Sequence, residues 1–328
     1  MNIAIVGATG AVGRVMLDLL LERDFKFDSL KLLASSKSAG KEIKSYNRSF
    51  TVELLEESSF KNIDIALFSA GSSISRKYAK IAVKEGAVVI DNSSCFRMDK
   101  DVPLVIPEVN GEKISKKGII ANPNCTTIIM LTVLNRICKE IGVDKIVAST
   151  YQSVSGAGAK GIEELLNQEK QYIGGEEIVW ENFSREILHN VIPQIGEFSD
   201  LGYTEEELKM SRETTKILDD ENIVVEATSV RVPVLTSHSE SITFNCRREA
   251  SFDEIENLLS NSEGVKYFKR SSNGYPTPLE TSGKDCCYAG RLRKSKVFDN
   301  GFTIWITGDQ LRKGAALNAV QIAEKLRA

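Results

Sequence analysis

Histidine is scarce: the chain carries two, His189 and His238, in 328 residues. That argues against a metal site built from clustered His and Cys, and no metal ligand is assigned. The six cysteines stand at 95, 125, 138, 246, 286 and 287, with no CxxC pair and no regular framework. They read as reduced thiols of a cytoplasmic protein, not as staples of a secreted one. Long apolar runs are also missing. The most apolar stretch, residues 128–134, includes a Thr and falls far short of the roughly 20 residues a membrane helix needs. The N-terminus lacks the basic start of a signal peptide, and its apolar run stops at Gly7. An excess of basic charge is absent: 42 Lys and Arg face 45 Asp and Glu, a net charge of −3. This excludes a general nucleic-acid binder. No internal repeat or low-complexity tract is present. The partner implied is a small molecule, with neither membrane nor nucleic acid.

What is present is ordinary globular composition, 42% hydrophobic and 27% charged, over a length that suits two domains. Residues 3–7, Ile-Ala-Ile-Val-Gly, read as a short buried strand. The turn Gly7-Ala8-Thr9-Gly10-Ala11-Val12-Gly13 follows, then an amphipathic stretch with Val15, Met16, Leu19 and Leu20. Strand, glycine-rich turn and helix form the setting of a dinucleotide site, where glycines let the backbone approach a pyrophosphate and the helix start offers N–H groups. The spacing is GxxGxxG, a variant of GxGxxG, and a ligand-free glycine-rich turn is the alternative. A second strand, Leu30 to Ala34, ends in Ser35-Ser36-Lys37-Ser38, with no carboxylate before Glu42. Hydroxyls and a Lys suit a ribose 2′-phosphate better than a 2′-hydroxyl, so NADP is expected over NAD; a plain polar loop is the alternative. Further strands at 63–68, 87–91 and 118–121 alternate with helical stretches, which implies a parallel, doubly wound (Rossmann) sheet. Ligands bind beyond the carboxyl ends of such strands, where Ser69, Gly71, Asp91-Asn92-Ser93 and Asn122-Pro123-Asn124 stand.

Cys125 follows that last strand and opens a long helical pattern. A helix N-terminus stabilises a thiolate, and a thiolate beside a nicotinamide can attack an activated carbonyl and hold its carbon for hydride transfer. The alternative is a small buried residue. Cys138 and Cys246 fall on apolar patterns and read as core; Cys286 and Cys287 carry no functional case; Cys95 lies in a loop near the site. After Lys145 the pattern becomes mixed, with strands at 145–151, 223–233, 239–247, 266–268 and 302–307. This implies an α+β domain with a mainly antiparallel sheet, one face of which forms a dimer. A single connection, Arg231-Val-Pro-Val-Leu-Thr-Ser-His238, joins a guanidinium suited to a carboxylate with an imidazole suited to proton transfer. His189 has no such partner and reads as structural. A basic stretch at Arg291, Arg293, Lys294 and Lys296 reads as one solvated strand face.

Taken in order, these segments resemble the aspartate-β-semialdehyde dehydrogenase family over essentially the whole chain. The matching stretches are Gly7–Gly13, Asp91–Arg97, Val105–Asn110, Asn122–Thr127, Tyr151–Gly158, Gly202–Lys209, Arg231–His238 and Arg312–Ala316. The resemblance implies an NADP-binding domain of residues 1–125 and 308–328 around a catalytic and dimerisation domain of residues 126–307. It implies Cys125 as nucleophile, His238 as acid/base and Gln152 as an orienting residue. Arg231 would hold the substrate carboxylate, Glu206 its amino group, Arg97 and Lys209 phosphate, and Asn124 would help position the reacting group. Gly7, Thr9, Gly10, Ala11, Val12, Gly13, Ser35, Ser36, Ser38, Ser69, Gly71, Ser155, Gly156 and Gln310 would contact NADP. Cys95 and Gln310 depart from the common pattern, which has Ala and Asn there. The implied activity is NADPH-dependent reductive dephosphorylation of L-aspartyl 4-phosphate to L-aspartate 4-semialdehyde, in the biosynthesis of lysine (through diaminopimelate), methionine and threonine. The enzyme would be a homodimer, with a tetramer as the alternative. Sister acyl-phosphate or acyl-thioester reductases are the rival enzymes, and a silent NADP-binding paralogue is the rival from another class; the presence of Cys125 and His238 counts against the paralogue.

Overall fold

A computed structural model describes residues 1–272 and 274–327. The chain divides into two compact units, Met1–Asn124 with Ala315–Ala328, and Cys125–Gly314.

The first unit starts with β1 (Asn2–Val6), α1 (Ala11–Glu22) and β2 (Ser29–Ala34), followed by β3 (Glu42–Ser45) and β4 (Arg48–Leu54). It continues through β5 (Ile65–Phe68), α2 (Ser72–Lys84), β6 (Val88–Asp91), α3 (Pro107–Asn110) and β7 (Ile119–Ala121). The sheet order is β3-β4-β2-β1-β5-β6-β7, parallel except where β3 meets β4. Ile3, Ala4, Ile5 and Val6 are all fully buried, because a central parallel strand is covered on both faces. Their alternation separates two cores. Ile3, Ile5, Leu32 and Leu67 join Leu19 and Leu20 of α1 and Val320 and Ile322 of the helix Leu317–Arg327. Ala4, Val6, Leu33 and Phe68 join Ala79 and Ala82 of α2. The β3–β4 hairpin was no part of the sequence reading. Its signal is a two-residue turn, Tyr46-Asn47, whose φ angles of 46° and 61° suit the twist of a tight hairpin.

The second unit contains α4 (Cys125–Glu140), β8 (Val143–Gln152), α5 (Ala159–Gly174), α6 (Glu205–Leu218) and β9 (Val224–Arg231). After these come β10 (His238–Cys246), α7 (Phe252–Ser260), β11 (Val265–Tyr267), α8 (Pro278–Thr281), β12 (Cys287–Lys294) and β13 (Gly301–Gly308). The sheet order is β11-β12-β13-β10-β8-β9. The central pairings are antiparallel, while β9 and β11 add at the edges in parallel. One face packs under α4 and α6. The other leaves Val147, Tyr151 and Val224 exposed. The basic stretch after Gly290 is not one even strand face. The register with β13 shifts between Gly290 and Arg293, Arg291 takes a φ of 57°, and Lys294 turns to the carbonyl of Ala250 at 2.8 Å. A bulge of this kind breaks the period-two alternation that the sequence spacing suggested.

Candidate active site

Strand register builds the centre of the second unit. Gln152 of β8 pairs with Arg231 of β9. On its other side, one step beyond the pair Tyr151–Ser239, stands His238 of β10. Arg231, Gln152 and His238 therefore form one row across the covered face, and all three are buried. Two residues deeper runs a second polar row, Ser229–Thr150–Glu240, also fully buried. Beyond it the face turns apolar with Ala227, Ala148 and Ile242.

The two rows are tied together. Thr150 donates its hydroxyl to Gln152 Oε1 at 2.9 Å, and Gln152 Nε2 donates to Glu206 Oε1 at 3.0 Å. Glu206 sits in the first turn of α6 and forms an ion pair of 3.5 Å with Lys209, three residues on. The start of α6 is fixed by a capping box: Thr204 N–H donates to Glu207 Oε2 at 2.7 Å, and Glu207 N–H donates back to the Thr204 hydroxyl. Ser229 N–H donates to the other Glu207 oxygen at 2.9 Å, which docks the helix on β9.

Arg231 donates from Nη1 to the carbonyl of Ser153 at 2.6 Å and lies over the ring of Phe183. Burial lowers its pKa, while the Glu206 carboxylate and the Cys125 thiolate favour its charge; a guanidinium remains cationic under such a shift. His238 is fully buried, and its pKa is pulled well below the usual histidine value by desolvation and then by Arg231, with a backbone hydrogen bond at Ser237 opposing. Its Nδ1 accepts from Ser153 N–H at 3.1 Å, and its Nε2 has no partner among the described residues. A Cβ on Gly156 would lie 2.6 Å from Arg231 Nη1 and 3.4 Å from His238 Nε2. Only a glycine lets the backbone pass so close to both groups.

Cys125 is the first residue of α4 and is partly accessible. A Cβ on Gly314 would meet its Cβ at 3.0 Å and that of Gln310 at 3.4 Å, so the turn of residues 310–314 wraps the nucleophile candidate. Three of the other thiols are disfavoured as thiolates. Burial pushes Cys138 up to about 12 and Cys246 up to about 11, and it also raises Cys95. Gln310 accepts from Ser237 N–H at 2.8 Å and donates to the Ser155 hydroxyl. The second unit thus brings together Cys125, Gln152, Ser155, Gly156, Glu206, Lys209, Arg231, His238 and Gln310.

The first unit holds the remaining candidates. Gly7 has φ +83°, and a Cβ there would press on the Ser69 and Ala70 backbone at 3.0 Å; one on Gly13 would meet the Gly7 carbonyl at 2.3 Å. Ser69 Oγ donates to the carbonyls of Val6 and Gly7, each at 3.2 Å, and fixes this turn. Gly10 is the N-cap of α1 and has no side chain to occupy the first-turn N–H groups of Ala11, Val12 and Gly13; Thr9 precedes it, and Gly71 caps α2 in the same way. A backbone-lined cradle at a helix start fits a pyrophosphate. Ser35, Ser36 and Ser38 lie on the turn after β2, closed by Ser38 N–H to the Ser35 carbonyl at 2.9 Å. Arg97 is buried and donates to the Asn92 carbonyl at 2.9 Å. That loop is organised by Asp91, which accepts from Ser75 and Ser93. Asn124 is buried directly before Cys125. Among the described residues, no group of His, Cys, Asp and Glu could hold a metal ion.

Thr150, Ser153 and Glu240 were not assigned roles from the sequence. Glu240 had a legible signal, since it shares the strand face of His238, Ile242, Phe244 and Cys246 and interrupts an otherwise apolar alternation.

Two family descriptions match the chain: semialdehyde dehydrogenase, NAD binding domain, over residues 2–117, and semialdehyde dehydrogenase, dimerisation domain, over residues 134–313. An aspartate-semialdehyde dehydrogenase of Aquifex aeolicus is 51% identical, with 99% of this chain and 97% of that protein covered. One from Bacillus subtilis is 46% identical, covering 100% and 97%. The crystal structure of aspartate semialdehyde dehydrogenase II from Vibrio cholerae, complexed with ASA, superposes with a TM-score of 0.96 at 45% identity, over 99% of this chain and 98% of that one.

Proposed function

Since the chain belongs to the aspartate-semialdehyde dehydrogenase family, we propose that it converts L-aspartyl 4-phosphate to L-aspartate 4-semialdehyde through a thioester on Cys125. The observation that carries this reading is the row Arg231–Gln152–His238, with Glu206 held beside it by Gln152. A zwitterionic substrate needs a cation for its α-carboxylate and an anion for its amino group. Arg231 supplies the first as a planar fork, and Glu206 the second. Arg97 and Lys209 bind phosphate, neutralising it as it leaves with the electron pair of the broken C–O bond. The Cys125 thiolate forms the new C–S bond, favoured by the start of α4 and the Arg231 charge. Asn124 helps position the reacting group.

NADP would be held by the Gly7–Gly13 cradle, by Ser35, Ser36 and Ser38, whose hydroxyls suit a 2′-phosphate, and by Ser69 and Gly71. Ser155, Gly156 and Gln310 serve the nicotinamide end. A nicotinamide bound there would supply the hydride of the reduction. The protein works as a homodimer through the exposed sheet face, which presents Tyr151 and Trp305, ring to ring at 5.5 Å, with exposed Val147 and Val224 set among Ser and Thr side chains.

The test is phosphate-dependent reduction of NADP⁺ by L-aspartate 4-semialdehyde, run on the wild type and on Cys125→Ala. The variant should retain cofactor binding and lose turnover by at least about 10³-fold. Retained turnover would overturn the nucleophile assignment. Near-equal KM values for NADP⁺ and NAD⁺ would overturn the 2′-phosphate reading.

A further inference from the structure

The buried imidazole is reached by a directional chain of hydrogen bonds. Its far end is Gln310. Because Ser237 N–H can only donate, the Gln310 atom it meets at 2.8 Å must be the carbonyl oxygen. The Gln310 amide nitrogen therefore faces the Ser155 hydroxyl and donates to it. Ser155 Oγ lies 3.0 Å from Ser153 Oγ. Ser153 Oγ in turn lies 3.1 Å from His238 Nδ1. Ser153 N–H, also an obligate donor, meets the same Nδ1 at 3.1 Å. This obligate donor makes Nδ1 the acceptor, so the neutral ring keeps its proton on Nε2; the Ser153 hydroxyl can then meet Nδ1 only as a donor, and Ser153 Oγ accepts from Ser155. Nε2 is the atom without a partner among the described residues, and it faces the same glycine as Arg231.

We propose that Ser153, Ser155 and Gln310 are positioning residues that fix the resting tautomer of His238 with its proton on Nε2, so that the ring meets the substrate first as a hydrogen-bond donor. The chain cannot work as a proton wire, because it ends in an amide that has no proton to spare. Its effect is orientation. Whenever the carbon on Cys125 becomes tetrahedral, its oxygen carries negative charge, and collapse restores the C=O bond as phosphate or the thiolate departs. A fixed N–H stabilises that oxygen at both stages without a proton changing hands. The backbone hydrogen bond at Ser237 opposes the lowering of the pKa and favours the charged ring over the neutral one.

The inference depends on the proposed activity for its kinetic readout alone; the tautomer is read in the resting protein. Long-range ¹⁵N–¹H spectra of the full chain show one ring per histidine, and there are two. His189→Asn assigns them, since Asn tolerates the left-handed backbone at 189, where φ is 57°. The wild type should show a pyridine-type Nδ1 and a pyrrole-type Nε2 for His238. Ser155→Ala frees the Ser153 hydroxyl to accept instead, and Gln310→Glu reverses the chain. In both variants the two nitrogen resonances should move towards each other, and kcat should fall about tenfold with KM for the semialdehyde within about twofold. Ser155→Thr, which keeps the hydroxyl, should restore spectrum and rate. A protonated Nδ1 in the wild type, or unchanged nitrogen resonances in both variants, would overturn the proposal. Failure of the functional reading is separate: it leaves the spectrum as expected and the wild type without phosphate-dependent NADP⁺ reduction.

Discussion

Replacing Gly156 by Ala puts a methyl group in place of a hydrogen at a crowded point of the second unit. The backbone permits the change, since Gly156 is absent from the positive-φ positions. The new Cβ would stand 2.6 Å from Arg231 Nη1 and 3.2 Å from His238 Cε1. Ordinary contact between such atoms is about 3.5 Å, so the guanidinium must retreat by about 1 Å. It is the more mobile of the two neighbours, being the end of a long side chain. Retreat breaks or bends its 2.6 Å bond to the Ser153 carbonyl and turns the fork away from the substrate carboxylate. Loss of one hydrogen bond to a charged group costs about 1.5–3 kcal/mol, equivalent to roughly 10–100-fold in kcat/KM. Because the carboxylate is bound in ground and transition states alike, most of the change should appear as a higher KM for the semialdehyde. Steady-state kinetics at saturating NADP⁺, with thermal unfolding to confirm folding, makes the measurement. A KM within about twofold of the wild type would refute the argument. A fall in kcat with KM unchanged would assign the effect to His238 and refute the carboxylate account.

The glycine-rich turn and the buried titratable groups give further outcomes. Gly13→Ala would place a Cβ 2.3 Å from the Gly7 carbonyl, a backbone atom that cannot swing aside; a loss of about 1–3 kcal/mol of stability and a weakened Kd for NADP⁺ are expected from chemical denaturation and fluorescence titration. Glu240 is fully buried and its pKa is raised well above the carboxylate value, by desolvation and then by Glu206. Between the unfolded and folded pKa the native state holds more protons, so this group makes stability fall as pH rises. Glu240→Gln should therefore gain stability relative to the wild type on going from pH 5 to pH 8, and a parallel pair of denaturation curves across that range would refute it. His238 acts with the opposite sign. Its lowered pKa means the unfolded chain binds the extra proton first, so stability falls as pH drops through about 6.5, a dependence that His238→Asn should remove.

Local signals carried much of this structure, and their reach shows where sequence reading stops. The run of residues 3–13 specifies strand, turn and helix through neighbouring residues alone, and the same holds for the hydrophobic alternation of β8 and β10. Arg231 and His238 were visible as a pair because one short connection separates them. Gln152 joins their row only through strand pairing across 79 and 86 residues, which no local pattern encodes. The roles of Ser153, Ser155 and Gln310 around the imidazole are equally hidden, because their bonds depend on which way each hydroxyl and amide faces. The hairpin at Tyr46-Asn47 escaped for a different reason: neither residue is glycine, and asparagine alone is a weak turn signal.

The division of the chain sets an order on its synthesis. Residues 315–328 belong with residues 1–124, and the helix Leu317–Arg327 contributes Leu317, Ala319, Val320, Ile322 and Ala323 to the core around α1. The ribosome makes that helix only after the whole of Cys125–Gly314 has emerged. Until then the apolar side of α1 lacks the side chains that this helix packs against it. A chain cut short before residue 315 would lack the part of this core that the helix supplies.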